Sequence, residues 1–393
     1  MLHGGQLRDI FSQLDPFTLE GDLKPHDERG SLLAVNANMP LEIGLRGFLP
    51  AAAEAPGSPL IVQVSFNAMR RLGGGGPSAI QRGGELFSQQ LQALNREYGV
   101  SMLAMALDHY RVPTFPSYDR SAGSWYQKQA QGYVEDASEY LEEQAAIPVA
   151  TPSLRTDMVN YMATRVYQEF KQELCTLVGE IRPAYVMIDT ESLPPVLTAA
   201  VARETGELLR TIVGQRDILL EVEYGSTGKS PQATGYVPLD QGALDEYTRE
   251  VCALVRYTRA DAISYPIGLV HGASADEKYE PDYQRLFAVQ GKLKEDLGLY
   301  VPFVQHGGSG ARSLMRGLVG KNNLNTTFLI AGAQAISDYV KVHDRAVSGG
   351  KKEACAGMFM QATAAIRREL EERLDEAGTR RANTWLEVRL SRA

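Results

Sequence analysis

Eight short apolar segments alternate with helical patterns along most of the chain, and few architectures accommodate that alternation. Most of the segments are rich in Val, Ile and Leu and end at glycine, proline or polar residues, which is typical of buried parallel strands; the eighth segment has the weakest pattern. They lie at residues 31–36, 59–65, 100–107, 185–189, 217–225, 262–268, 300–304 and 323–328. The pattern predicts an α/β fold, a (β/α)8 TIM barrel. A doubly wound open sheet, the alternative, would not bring the ends of distant strands around one axis.

Two regions contain more helix than a regular barrel needs. Residues 111–183 hold two helical patterns, at 124–144 and 153–179, where a single crossover helix would suffice. We therefore expect a helical insertion after the third strand, and a charged helical pattern at 352–376 predicts extra C-terminal helices. The expected division is an N-terminal arm at 1–29, a barrel at 30–345 and a C-terminal helical extension at 346–393.

Composition argues against several classes of protein. The net charge of −8 disfavours a nucleic-acid-binding surface, and no apolar run is long enough to suggest a membrane span. The N-terminus lacks the basic-then-apolar pattern of a secretory signal, and the three cysteines lack metal-ligand spacing. We expect a cytoplasmic protein with neither a nucleic-acid nor a membrane partner.

Three of the six histidines directly follow apolar strand segments. His109, His271 and His306 come after the third, sixth and seventh segments. One such histidine is usually a packed rim residue, but a barrel collects its strand ends around one mouth. Three imidazoles with an open position suit a catalytic Zn²⁺ or a similar divalent metal. Glu223, at the end of the fifth segment, is a candidate fourth or alternate ligand.

Other polar groups accompany these histidines at the strand ends. Asp108 directly precedes His109, so its carboxylate could transfer a proton at a metal site; alternatively it orients an imidazole. The ends of the seventh and eighth segments supply amides and hydroxyls where barrels often bind phosphate. These residues are Gly307, Gly308, Ser309, Asn325, Thr326 and Thr327.

Taken in order, seven segments of the chain resemble the class II, zinc-dependent fructose-bisphosphate aldolase family. They span roughly residues 30–330, and the Met-Ile-Asp and His-Gly-Gly-Ser-Gly stretches are the most specific of them. The matching segments are residues 33–36, 61–65, 108–109, 186–194, 220–228, 270–272 and 306–310.

The resemblance implies a zinc-dependent aldolase acting on a ketose phosphate. Zinc would be held by His109, His271 and His306, with Glu223 as a nearby ligand, and would stabilise an enediolate as a Lewis acid. Asp108 would take or return the proton of the C4 hydroxyl as a dihydroxyacetone-phosphate-type product is released. The expected substrate-binding residues are Asn36, Ser65, Gly272, Gly307, Gly308, Ser309, Asn325, Thr326 and Thr327.

The chain departs from the family pattern on the substrate side. The family's mobile loop after the fifth strand carries an acidic pair, but residues 226–239 contain no Asp or Glu, and Tyr236 or Lys229 would be no more than speculative stand-ins. The family's eighth strand usually reads Asn-x-Asp-Thr, but here Asn325 is followed by Thr-Thr-Phe. The family also has a lysine shortly after the His-Gly of the sixth strand, whereas the nearest lysine here is Lys278. The insertion also lengthens the interval between the third and fourth strands. We expect a divergent aldolase whose substrate can be an anionic ketose other than fructose 1,6-bisphosphate.

Two alternatives stay open at this point. The chain could be a non-catalytic aldolase-like subunit, a reading favoured by the missing acidic loop. It could also be a metal-dependent sugar-phosphate isomerase or epimerase on the same barrel, because one fold hosts many reactions. In each case we expect a homo-oligomer, a dimer or tetramer, whose interface or barrel mouth uses the added helices.

Overall fold

A single parallel sheet of eight strands forms the centre of the molecule. The computed structural model describes residues 1–54, 57–148, 151–225, 237–269, 280–310 and 316–380. The sheet order is β6-β5-β4-β3-β2-β1-β8-β7, and a parallel bridge between Ile263 and Phe303 joins its two edges. The strands are β1 Leu32–Asn36, β2 Leu60–Ser65, β3 Leu103–Arg111, β4 Tyr185–Asp189, β5 Leu219–Glu223, β6 Ala262–Ser264, β7 Val304–Gln305 and β8 Lys321–Leu324. The predicted (β/α)8 TIM barrel is confirmed.

Helices surround this barrel and extend it at both ends of the chain. In the part of the chain that the structure describes, none of them is long and apolar enough to cross a membrane. The helices are α1 Gly4–Gln13, α2 Leu41–Ala53, α3 Phe66–Leu72, α4 Ala79–Tyr98, α5 Ser124–Ala145, α6 Pro152–Met162, α7 Arg165–Ile181, α8 Pro195–Glu207, α9 Gln241–Thr258, α10 Tyr283–Leu297, α11 Thr326–Ser348 and α12 Lys352–Ala377. The predicted extra C-terminal helix at 352–376 is confirmed as α12, which packs on α2 and on α11, the helix that follows β8.

Helix α1 closes the N-terminal end of the barrel. Its apolar face buries Leu7, Ile10 and Phe11 among the inward-facing side chains of the strands. The ring of Phe11 approaches that of Tyr185, with centroids 6.5 Å apart. Burial of aromatic and aliphatic side chains of this size contributes about 1.5–3 kcal/mol each. The N-terminal segment is therefore part of the barrel core.

The predicted helical insertion between β3 and β4 is confirmed, but it contains three helices where two were predicted. The single helix expected at 153–179 breaks into α6 and α7. At the break Thr164 has an extended backbone, and its side chain accepts a hydrogen bond from the backbone N–H of Tyr167. A threonine in this position is a strong N-cap, so it begins a new helix and ends the continuous pattern.

The eighth strand lies earlier in the sequence than predicted. The strand ends at Leu324, and Thr326 and Phe328 belong to the first turn of α11 and not to the strand. The hydroxyl oxygen of Ser309 accepts hydrogen bonds from the backbone N–H groups of Asn325 and Thr327, at 3.4 and 3.2 Å. A group from the β7 loop thus satisfies amides that the helix start leaves unpaired, which stabilises a helix where the threonines favour a strand.

Candidate functional site

A cavity of about 600 Å³ opens at the C-terminal ends of the strands. Its lining includes residues that follow or end seven of the strands, as expected for a barrel mouth. Ten of the predicted site residues line it: Asn36, Ser65, Asp108, His109, Glu223, His306, Gly307, Ser309, Asn325 and Thr326. Residues that are far apart in sequence thus lie together in one site.

Four of the predicted site residues are not among the residues that line the cavity. Two of them, His271 and Gly272, lie outside the described residues, and the same is true of Lys229, Tyr236 and Lys278. The hydroxyl of Thr327 donates to Glu369, away from the cavity lining. Gly308 packs against β8, where an added Cβ would lie 3.0 Å from the carbonyl oxygen of Asn323. A side chain here would crowd the neighbouring strand, so the glycine favours the close approach of the β7 loop to β8.

An irregularity in β3 brings two consecutive side chains to the cavity. The register with β4 shifts between Leu107 and Tyr110, and His109 has a φ of 45°, which is uncommon for a residue other than glycine. In a regular strand Asp108 and His109 would point to opposite faces. A bulge redirects a side chain, and bulges are frequent beside active sites. Here both side chains line the same cavity.

Two imidazoles face each other in this cavity. The Nδ1 atom of His306 lies 3.1 Å from the Nε2 atom of His109. Two nitrogens bound at about 2.0–2.1 Å to one tetrahedral zinc ion would lie about 3.3 Å apart, so this separation suits a shared cation. Among the residues that the structure describes, no group of three or more His, Cys, Asp or Glu side chains is arranged to hold a metal ion. The buried carboxylate of Glu223 lines the same cavity.

Acidic groups dominate the charge of the cavity. Burial lowers the pKa of His109, but nearby carboxylates, Asp108 and Glu223 first, raise it more, so that it lies above its ordinary value. Burial lowers the pKa of His306, and its hydrogen bond to Glu221 only partly offsets this. A site in which carboxylates favour positive charge is well suited to a divalent cation.

Amide side chains hold the carboxylate of Asp108. Asn36 Nδ2 donates to one of its oxygens at 2.8 Å, and Asn323 Nδ2 lies 3.5 Å from the other. Gln63 in turn donates to the side-chain oxygen of Asn36. The sequence pattern predicts Asn325 as the site asparagine of the eighth strand, but Asn323 is the asparagine that approaches Asp108. Because side chains two residues apart share a strand face, an inward Asn325 was itself a signal for Asn323.

A polar cluster that no sequence pattern indicates lies deeper in the barrel. Glu221 is fully buried and approaches His306 Nε2 with one carboxylate oxygen, at 2.8 Å. Its other oxygen accepts from Lys321 Nζ at 2.8 Å and from the Tyr185 hydroxyl at 2.6 Å. We call Glu221, Lys321 and Tyr185 the core triad. Burial raises the pKa of Glu221, but the charge of Lys321 and the hydrogen bond with His306 outweigh it and hold that pKa well below its usual value.

Arg111 carries the one full positive charge among the described residues that line the cavity. It ends β3, its side chain is 64% exposed, and its Nε lies 4.0 Å from a carboxylate oxygen of Asp189. An exposed pair at this distance is weak, so the guanidinium is available to exchange Asp189 for a substrate anion. Guanidinium groups bind phosphate and carboxylate with two parallel hydrogen bonds.

The chain is similar in sequence and in structure to known aldolases. The family model described as fructose-bisphosphate aldolase class-II matches residues 171–381. No curated protein sequence matches the chain. A fructose-bisphosphate aldolase from Campylobacter jejuni has a similar structure, with a TM-score of 0.58, 16% identity, and coverage of 96% of this chain and 95% of that chain. A protein from Coccidioides immitis, solved as a candidate fructose-1,6-biphosphate aldolase, has a TM-score of 0.51, 13% identity, and coverage of 97% and 98%. At these identities the likeness concerns the fold.

Proposed function

Because the chain belongs to the class II fructose-bisphosphate aldolase family, we propose that it is a metal-dependent lyase. Its reaction would cleave or form a carbon–carbon bond of a ketose phosphate or a related anionic ketose, with a dihydroxyacetone-phosphate-type product. One observation carries the proposal: the carboxylate of Asp108 lies in the same cavity as the facing imidazoles of His109 and His306. An acid–base group beside two nitrogen donors is the combination that this chemistry needs.

The imidazole and carboxylate groups of the cavity fit a divalent cation, and among such cations they fit Zn²⁺ best. His109 Nε2 and His306 Nδ1 would be two ligands, with Glu223 near them and His271 as the third imidazole. When bound, the ion would act as a Lewis acid that polarises the ketone of the substrate.

Asp108 would move the proton of the substrate's C4 hydroxyl. In cleavage its carboxylate takes that proton while the C3–C4 bond breaks; the electron pair of that bond stays with the ketone half, and C4 becomes an aldehyde carbon. In the reverse direction the same group returns the proton. Asn36 and Asn323 hold the carboxylate so that one face stays directed at the cavity. Orientation of this kind lowers the barrier because no reorganisation is needed during the reaction.

The loop after β7 and the start of α11 would hold the anionic end of the substrate. Gly307, Ser309, Asn325 and Thr326 line this side of the cavity. The N-terminus of a long helix favours an anion through its dipole.

The test combines metal content with a cleavage assay. We expect the purified protein to contain about one zinc per chain, and to release a triose from at least one member of a panel of ketose phosphates and sulfonated ketoses. A strong chelator should abolish release, and added Zn²⁺ should restore it. His306→Asn should lose the metal, whereas His343→Asn, a matched change in α11, should keep it. Bound metal with isomerisation but no cleavage would favour the isomerase or epimerase alternative. No metal and no turnover would leave the non-catalytic subunit.

Replacing Arg111 with glutamine tests the anion-binding side of the cavity. We expect KM for an anionic ketose to rise about tenfold, which corresponds to about 1.4 kcal/mol, with a smaller change in kcat. Steady-state kinetics measure both constants. Arg165→Gln removes an exposed arginine of α7 that pairs with Glu169, so it should change neither constant. An unchanged KM in Arg111→Gln would exclude Arg111 as an anion-binding residue.

A further inference from the structure

The core triad contacts the imidazole of His306 from inside the barrel. His306 presents Nδ1 toward His109 in the cavity and Nε2 toward Glu221. The side chains of His306, Glu221 and Lys321 are all fully buried. The ammonium group of Lys321 also lies over the ring of Tyr185, 4.4 Å from its centroid. The triad therefore forms a closed set of contacts around one carboxylate.

Burying the charged groups of this cluster in the barrel core costs free energy because they lose their hydration. TIM-barrel interiors are dominated by branched apolar side chains, and replacing a buried ion pair with such residues is often neutral or stabilising. Stability alone thus gives a weak reason for Lys321 and Glu221 in this place. Their contact with His306 offers a stronger one.

Hydrogen-bond chemistry fixes what Glu221 does to His306. A carboxylate can only accept hydrogen bonds, so the proton of a neutral His306 lies on Nε2 and the lone pair lies on Nδ1. That lone pair faces His109 and the cavity. Lys321 and Tyr185 hold the other carboxylate oxygen, which prevents the carboxylate from rotating away.

We propose that Glu221, held by Lys321 and Tyr185, is a positioning residue that sets the tautomer and ring orientation of His306 for binding a divalent cation. The inference rests on the metal centre of the proposed function and extends it to a second set of residues. Partners of this kind change metal affinity by about 10–100-fold in other metal sites.

The chain contains a natural control for this cluster. Glu204 in α8 is buried and accepts hydrogen bonds from Tyr167 at 2.8 Å and from Lys171 at 2.5 Å. It has the same Lys–Glu–Tyr composition as the core triad, but its partners lie on α7 of the insertion. A change at Glu204 therefore matches a change at Glu221 in burial and lost ion pairing, but not in contact with the site.

The experiment compares Glu221→Gln with Glu204→Gln. The single carbonyl oxygen of the glutamine at 221 would be taken by Lys321, so its amide NH₂ would face His306 Nε2 and favour the proton on Nδ1. We expect Zn²⁺ affinity, measured by competition with a chromophoric chelator, to fall about 10–100-fold in Glu221→Gln and by less than about twofold in Glu204→Gln. ¹⁵N shifts of the metal-free imidazoles should show the Nε2–H tautomer of His306 in the wild type and in Glu204→Gln, but not in Glu221→Gln.

The outcomes of this experiment distinguish the positioning role of Glu221 from the proposed metal-dependent lyase. Equal Zn²⁺ affinity in the wild type and Glu221→Gln would overturn the positioning role while leaving the proposed lyase intact. A wild-type protein that binds no Zn²⁺ would overturn the metal centre and the positioning role together. If Glu221→Gln does not fold, the double variant Glu221→Leu with Lys321→Met removes both buried charges and the acceptor for His306 Nε2, and it should show a similar loss of affinity.

Discussion

Replacing Asp108 with asparagine is expected to lower kcat for carbon–carbon cleavage by about 10²–10⁴-fold, the range for loss of a general acid–base group. The amide has nearly the same shape, so the cavity and its metal content should not change. Asparagine cannot accept the hydroxyl proton, and its NH₂ group would also face the donor of Asn36 or Asn323. Single-turnover cleavage of the best substrate, with zinc content measured on the same sample, checks the result.

A buried aspartate in the N-terminal arm provides the control for this variant. Asp15 pairs with Lys294 at 2.5 Å and accepts from the backbone N–H of Phe17 at 3.0 Å. Asp15→Asn should lower the unfolding midpoint but leave kcat within about twofold, because the lost interactions are structural. A cleavage rate in Asp108→Asn equal to that of Asp15→Asn would remove Asp108 from the mechanism.

Replacing Phe11 with alanine is expected to lower the free energy of unfolding by about 3–5 kcal/mol, the usual cost of truncating a buried phenylalanine. The ring is 3% exposed and packs with Ile10 and Tyr185 at the closed end of the barrel. Urea denaturation measures the change as a shift of the midpoint at constant slope.

Leu19→Ala is the matched change in the same arm. Leu19 is 98% exposed, so its truncation should alter the free energy of unfolding by no more than about 0.5 kcal/mol. If Phe11→Ala were as mild as Leu19→Ala, helix α1 would be a peripheral attachment and not a part of the core.

The barrel could be predicted because its signal is local and repeated. Most of the buried parallel strands are short apolar runs, and most of these runs are followed by a helical pattern of ordinary length. The meeting of His109 with His306 followed from the same alternation, because strand ends of a barrel share one mouth. The proximity of these two histidines could therefore be predicted from the order of strands and helices alone.

Features that depend on register or on a neighbouring segment could not be predicted in this way. The bulge that turns His109 into the cavity has no separate sequence signal. The start of α11 depends on the hydroxyl of Ser309 from the preceding loop. Lys321 lies before the predicted eighth strand, so no sequence pattern indicates that it lies opposite Glu221. These contacts join segments that are distant in sequence, and they form only when the barrel is closed.

Closure of the barrel by α1 has a consequence for the order of events during synthesis. This helix leaves the ribosome before any of the eight strands, but the apolar side chains that cover it extend along the chain from Leu32 to Val304. The strand that seals β1 is β8, at Lys321–Leu324. Since contacts of such long sequence separation form slowly, the face of Leu7, Ile10 and Phe11 stays uncovered until most of the polypeptide exists. During that interval the amphipathic helix is a natural target for a chaperone, and a truncated transcript would yield a chain with this surface exposed.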